Sequence, residues 1–172
     1  MEGAREVRLR SGDTVRIRPV RSTDAAELQR AFAMMSEASQ NSRFLTGTPR
    51  LTDRQATYFA AVDHVDHEAY VAHDPDDPTW IIGVARFIRS PSDPSDAEVA
   101  FTIADSWHGR GLATAMLRVL SDRALDVGVT RFHAEMMADN AAVVRLLRSA
   151  GMADETVAGD LASGHIELTR SE

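Results

Sequence analysis

The sequence predicts a mixed α/β (α+β) domain, with a mostly antiparallel sheet of about seven strands and about four helices. Three observations lead there. Short alternating or apolar runs recur between turn signals, as in TVRIRP (14–19), WIIGVARFI (80–88) and AEVAFTIA (97–104). Other segments carry helical spacing, clearest in Leu112, Ala115, Met116, Val119 and Leu120. Of the 172 residues, 44% are hydrophobic and 26% charged, which is ordinary globular usage and enough for one sizeable core. No repeat or long linker divides the chain, so one domain over 1–172 is expected.

Val7 and Leu9 alternate, and Gly12-Asp13 before TVRIRP marks a hairpin. Ser22-Thr23-Asp24 supplies an N-cap for a first helix over about 23–38. SQNSRFLTGTPR (39–50) is a loop by composition. Thr52-Asp53 caps a second helix with Ala56, Phe59 and Ala60 on its apolar face. EAYVA (68–72) is a strand, HDPDDP (73–78) a turn, and WIIGVARFI the next strand. SPSDPSD (90–96) turns into AEVAFTIA, whose near-continuous apolar run marks a central strand. A helix over about 111–126 ends at Gly128. Residues 132–136 form a strand, 140–150 a helix stopped by Gly151, and 156–157 and 165–168 the last strands. The order reads β β α α β β β α β α β β.

The composition excludes several function classes. There is no cysteine, so disulfides, thiolate catalysis and cysteine-ligated zinc are ruled out. A net charge of −7 argues against sequence-independent nucleic-acid binding, which needs a basic face, and suits a basic substrate such as an amine. No apolar run approaches the roughly 20 residues of a membrane span, and no signal-peptide pattern opens the chain. A cytoplasmic protein without membrane contact, monomeric or homodimeric, is the expectation. Asp63, His64, Asp66 and His67 have spacing that permits metal ligation, but capping of the second helix accounts for them, so no metal is expected.

WHGRGLATAM (107–116) carries the strongest functional signal. A strand ends, glycines follow, and a helix opens. The first turn of a helix has unpaired N–H groups and the positive end of the macrodipole. Gly109 and Gly111 remove side chains there, so a phosphate can approach. A Walker A loop is excluded because no Gly-Lys-Ser/Thr follows, and the full dinucleotide fingerprint is absent.

These residues resemble the GNAT family of N-acetyltransferases, whose phosphate loop reads Gln/Arg-x-x-Gly-x-Gly/Ala. His108, Gly111 and Ala113 match it, with Gly109 and Arg110 between. Asn140 and Gly151-Met152 stand where the family opens and stops its next helix. SRFLTGTPRLTDRQ and VDHVDHEAYVA are similar to bacterial Pat-type protein-lysine acetyltransferases. The resemblance implies acetyl-CoA as co-substrate. Its pyrophosphate would lie on Gly109, Arg110, Gly111, Leu112, Ala113 and Thr114, with His108 and Asn140 beside it. Its pantetheine would pair with Phe101, Thr102 and Ile103, and the acetyl group would lie in a gap where this strand and 132–136 splay apart.

Acetyl transfer needs a neutral amine, hence a base. Glu98 stands among Ala97, Val99 and Ala100, and an apolar setting would raise its pKa toward that role. The alternative is an ion pair with Arg86. Many family members place a tyrosine, the acid for the CoA thiolate, where this chain has Leu147. His133 is a candidate substitute, with a structural histidine as the favoured alternative, and a thiolate can also leave unaided. The acceptor is a protein lysine or a small-molecule amine such as an antibiotic or polyamine. A CoA-binding module without catalysis is the rival class.

Overall fold

The computed structural model describes residues 3–35 and 50–170. Among them are eight strands: β1 (Arg5–Arg8), β2 (Thr14–Pro19), β3 (His67–His73), β4 (Ile81–Arg89), β5 (Asp96–Ile103), β6 (Arg131–Met137), β7 (Ala153–Ala158) and β8 (Leu161–Glu167). They form one sheet in the order β1-β2-β3-β4-β5-β6-β8-β7. All neighbours are antiparallel except β5 and β6. Among the described residues four helices cover it: α1 (Ala25–Ala33), α2 (Asp53–Ala60), α3 (Leu112–Asp126) and α4 (Ala141–Ser149).

The eight strands match the element order read from the sequence, one more than its round figure of about seven, and the expected pieces 156–157 and 165–168 fall in or overlap β7 and β8. Every residue of β7 is exposed, so the strand shows no in–out alternation of apolar residues. It forms by pairing with β8.

The first helix is shorter than its spacing predicts. Residues 22–24 make a 3-10 turn and α1 starts at Ala25. Asp24 is the cause. Its buried carboxylate takes two hydrogen bonds from the Arg18 guanidinium, at 2.7 and 3.0 Å, and one from the Arg21 N–H at 2.8 Å. It therefore reaches back to β2 instead of capping forward. Burial pushes its pKa up, but these donors outweigh burial and hold it below the usual value. The end of the predicted helix (36–38) and most of the predicted loop (39–49) lie outside the described residues.

At α2 the chain follows its local signals. Thr52 Oγ1 accepts from the Gln55 N–H, and Gln55 Oε1 accepts from the Thr52 N–H, a reciprocal capping box.

The two sheet faces carry different cores. On one, α3 and α4 bury Met116, Leu120 and Leu147 against Phe87, Val99 and Phe132. On the other, Leu28 of α1 and Ala60 of α2 pack on Val71 and Val84. Gly83 of β4 lets α3 come close: a Cβ there would lie 2.8 Å from Met116 Sδ and 3.2 Å from Leu112 Cδ2. That contact holds the start of α3 against the sheet beside β5.

Candidate active site

The two loop glycines have a conformational cause. Gly109 has φ +75° and Gly111 φ +93°, both in the left-handed region that favours glycine. Gly111 is also the N-cap of α3. A Cβ on it would lie 2.9 Å from Arg10 Cγ, whereas a Cβ on Gly109 would meet nothing within 4 Å. Among the described residues, the N–H groups of Gly109 through Thr114 have no acceptor; the first bond of the helix is Ala115 N–H to Gly111 O, at 3.1 Å. The loop's carbonyls are held instead. Arg10 Nη2 donates to Gly109 O at 2.9 Å, and the Ser11 N–H to Arg110 O at 3.4 Å. Tying down carbonyls 109 and 110 leaves the amides free for an anion. Leu112 is buried, so it offers the site its backbone alone.

β5 and β6 pair over three rungs, Asp96–Arg131, Ala97–Phe132 and Glu98–His133, and then part. β5 stays on β4 through Ile103, and β6 stays on β8 through Met137. A wedge-shaped gap therefore opens above Glu98 and His133. Its β5 wall can be read from the ladder. The Ala104 N–H donates to Ile82 O at 2.8 Å, and Gly83 faces Ile103 in register. Hydrogen-bonding sides alternate along an antiparallel ladder, so Ile103 and Phe101 turn their N–H and C=O groups into the gap. Thr102 turns its backbone to β4.

Glu98 departs from its expected setting. Its side chain is exposed, not embedded in apolar neighbours, and has no hydrogen bond or ion pair among the described residues. The reason is the pleat: Ala97 and Val99 are buried on the α3 face, while Glu98 shares the opposite face with Ala100 and Thr102. Nor does Glu98 meet Arg86. That guanidinium bonds His67 Nε2 at 3.0 Å and lies 4.3 Å from the Phe59 ring centroid. Beside Glu98, His133 Nδ1 is 2.7 Å from Asp96 Oδ2, and Asp96 Oδ1 accepts from Arg131 Nε at 2.9 Å. His133 thus clasps the base of the gap.

Continuing up the same face, a shallow open pocket lies between α1, α2 and the sheet. Leu28, Phe32, Leu51 and Phe59 form its apolar wall, and Ala100 and Thr102 of β5 its floor. The arrangement joins an anion-ready loop, a strand edge with free amides, a carboxylate and an apolar pocket along β5.

The sequence model of the acetyltransferase (GNAT) domain matches residues 14–153, which include the phosphate loop, β5, β6 and the pocket but not Arg10 and Ser11. The chain belongs to the GNAT acetyltransferase family. Acetyltransferase Pat of Mycolicibacterium smegmatis is 31% identical over 149 residues, covering 84% of this chain and 43% of the relative. The chain therefore spans less than half of that relative's length. The crystal structure of the GNAT domain of S. lividans PAT superposes with a TM-score of 0.88 at 28% identity, covering 96% of this chain and 97% of that one. The yncA protein of Salmonella typhimurium, solved with its cofactor acetyl-CoA, shares the fold at a TM-score of 0.72 and 20% identity, covering 93% and 97%.

Within this GNAT domain, the other residues singled out by the sequence are held as follows. Asn140 is the N-cap of α4, its Oδ1 accepting from the Val143 N–H at 3.3 Å. Leu147 is fully buried in the α3–α4 core, so a hydrophobic packing role fills that position. Asp63 Oδ1 accepts from the N–H groups of Val65, Asp66 and His67, each at 2.9 Å, which makes 63–67 a tight turn. His64 meets the buried Glu68 at 2.7 Å. No group of acids and histidines suited to a metal occurs among the described residues. No helix there is long and apolar enough to cross a membrane.

Two contributors escaped the sequence reading. Arg10 comes from the β1–β2 turn, 99 residues before Gly109. Only the run of arginines around that turn hinted at it. Gly83 sits mid-strand, where an isolated glycine marks a close approach.

Proposed function

We propose that this chain is one acetyltransferase domain that moves the acetyl group of acetyl-CoA to a primary amine, a protein lysine by preference. The parting of β5 and β6 just above Glu98 carries the reading. A gap with free strand amides on one wall suits the pantetheine amides, because Phe101 and Ile103 can pair with them as a strand would. The amides of Gly109 to Thr114 suit the pyrophosphate. The acetyl group then lies at the narrow end of the gap, within reach of the face that carries Glu98.

Glu98 takes the proton of the incoming ammonium, directly or through one water. The neutral amine attacks the thioester carbonyl carbon. A backbone N–H in the gap stabilises the oxyanion. As the tetrahedral intermediate collapses, the C–S bond breaks, the attached nitrogen gives its second proton to solvent to form the neutral amide, and CoA leaves as a thiolate that is protonated from solvent. Exposure suits Glu98 to this work: it can exchange protons with water between turnovers. The apolar wall of Leu28, Phe32 and Phe59 suits the methylene stem of a lysine, leaving its amine at the gap. Acetyl-CoA incubated with a panel of lysine-bearing proteins, polyamines and aminoglycosides tests this. CoA release with the protein acceptors is expected. Release with the small amines alone would reassign the acceptor, and tight acetyl-CoA binding without release on any acceptor would make this a regulatory module.

A further inference from the structure

The phosphate loop opens on His108, where the family pattern has glutamine or arginine. Its side chain is half exposed, yet its imidazole turns back to the main chain. His108 Nε2 lies 2.9 Å from the carbonyl oxygen of Ile103, five residues earlier. A carbonyl only accepts, so the ring nitrogen carries the proton. The bond spans the 3-10 turn of Asp105–Trp107. Two backbone bonds, Trp107 N–H to Ala104 O and His108 N–H to Asp105 O, already close that turn. The imidazole therefore adds a different connection: it ties the end of β5 to the first residue of the loop.

Both ends of that tie belong to the donor site. Ile103 turns its polar backbone groups into the gap, where the pantetheine would pair. The free amides start at Gly109, the residue after His108. We infer that His108 is a positioning residue that sets the spacing between the pantetheine wall and the phosphate loop. The inference rests on the acetyl-CoA reading above. A carbonyl oxygen has two lone pairs, so Ile103 can hold His108 and still accept from a pantetheine amide. Acetyl-CoA spans both subsites at once and is sensitive to their separation. A ligand touching only one is not.

This distinction makes the test. Binding is measured by calorimetry for acetyl-CoA, for adenosine bisphosphate (the nucleotide end) and for acetyl-pantetheine (the other end). His108→Ala is expected to weaken acetyl-CoA binding about five- to tenfold, the worth of one hydrogen bond, and to leave both fragments within about twofold of wild type. His108→Gln, whose amide can donate to the same carbonyl, is expected to restore acetyl-CoA binding to within about threefold. Fragments weakened as much as acetyl-CoA would show general damage to the loop and overturn the inference. So would unchanged or tighter acetyl-CoA binding in His108→Ala. Wild-type protein that binds no acetyl-CoA would overturn the donor reading as well, and the two failures are told apart by the wild-type measurement.

Discussion

Glu98 on β5 and His133 on β6 face each other across the last rung of the ladder between two parallel strands. Above this pair the strands lean on different partners, β4 and β8, and separate. A carboxylate and an imidazole thus mark the vertex of the gap. They differ in bonding: His133 is bound to Asp96, and Glu98 has no bond among the described residues. The bound partner holds the vertex and the other is available for proton transfer.

The clasp below the vertex is a stability element. Asp96 bridges Arg131 and His133, each partly exposed, so its worth is modest. Asp96→Ala is expected to cost about 1 kcal/mol in urea denaturation. Unchanged stability would show that the three ladder rungs alone hold the vertex.

The two loop glycines separate backbone strain from ligand access. At Gly111 a side chain meets Arg10 as well as any ligand, so substitution there mixes two effects. At Gly109 the protein leaves open space. Gly109→Val is expected to cost about 1–2 kcal/mol in stability through its positive φ. It should also weaken acetyl-CoA binding at least about tenfold, because the side chain faces the anion's approach. Wild-type affinity by calorimetry would remove the loop amides from the donor site.

Gly83 tests how tightly α3 must seat. Gly83→Val would push a branched side chain into Met116 and Leu112, both fully buried, and is expected to cost about 2–3 kcal/mol. Gly83→Ala should cost less, because Met116 can shift. Equal stability of wild type and the valine variant would contradict the close helix–sheet contact.

Much of this architecture was legible because it is local. The Thr52–Gln55 capping box, the apolar run of β5 and the glycines before α3 are each decided by neighbours in sequence. What was missed is set by residues far apart. Only 156–157 of β7 read as strand in the sequence; its full length of Ala153–Ala158, without alternation, comes from pairing with β8. Arg10 reaches Gly109 across the sheet, and Gly83 matters through α3. Glu98 was expected in an apolar setting because its sequence neighbours are apolar, but the pleat sends Ala97 and Val99 to the other face. His108 was expected beside the pyrophosphate; its bond to the Ile103 carbonyl depends on how the intervening 3-10 turn folds, which the sequence does not show.

His67 gives the fold a pH dependence. Burial, and then the adjacent Arg86 guanidinium, lower its pKa from 6.5 to about 4. Between those values the unfolded chain binds a proton that the folded chain refuses, so stability falls as pH drops from 6.5 toward 4. Burial also lowers the pKa of His73, so wild type alone would blur the source. His67→Gln should flatten part of the decline, on the order of 1–2 kcal/mol between the ends of that window. Parallel pH profiles for the two proteins would contradict the assignment.

Glu98→Gln tests the central claim most directly. The change keeps the size of an exposed side chain that bonds no described residue, so fold and donor binding should persist. With a lysine-bearing acceptor near neutral pH, kcat for CoA release is expected to fall by about a hundredfold or more, the usual worth of a general base. The KM for acetyl-CoA should stay within about twofold. An unchanged kcat would contradict the account, leaving the gap, the loop and the pocket without the base that joins them.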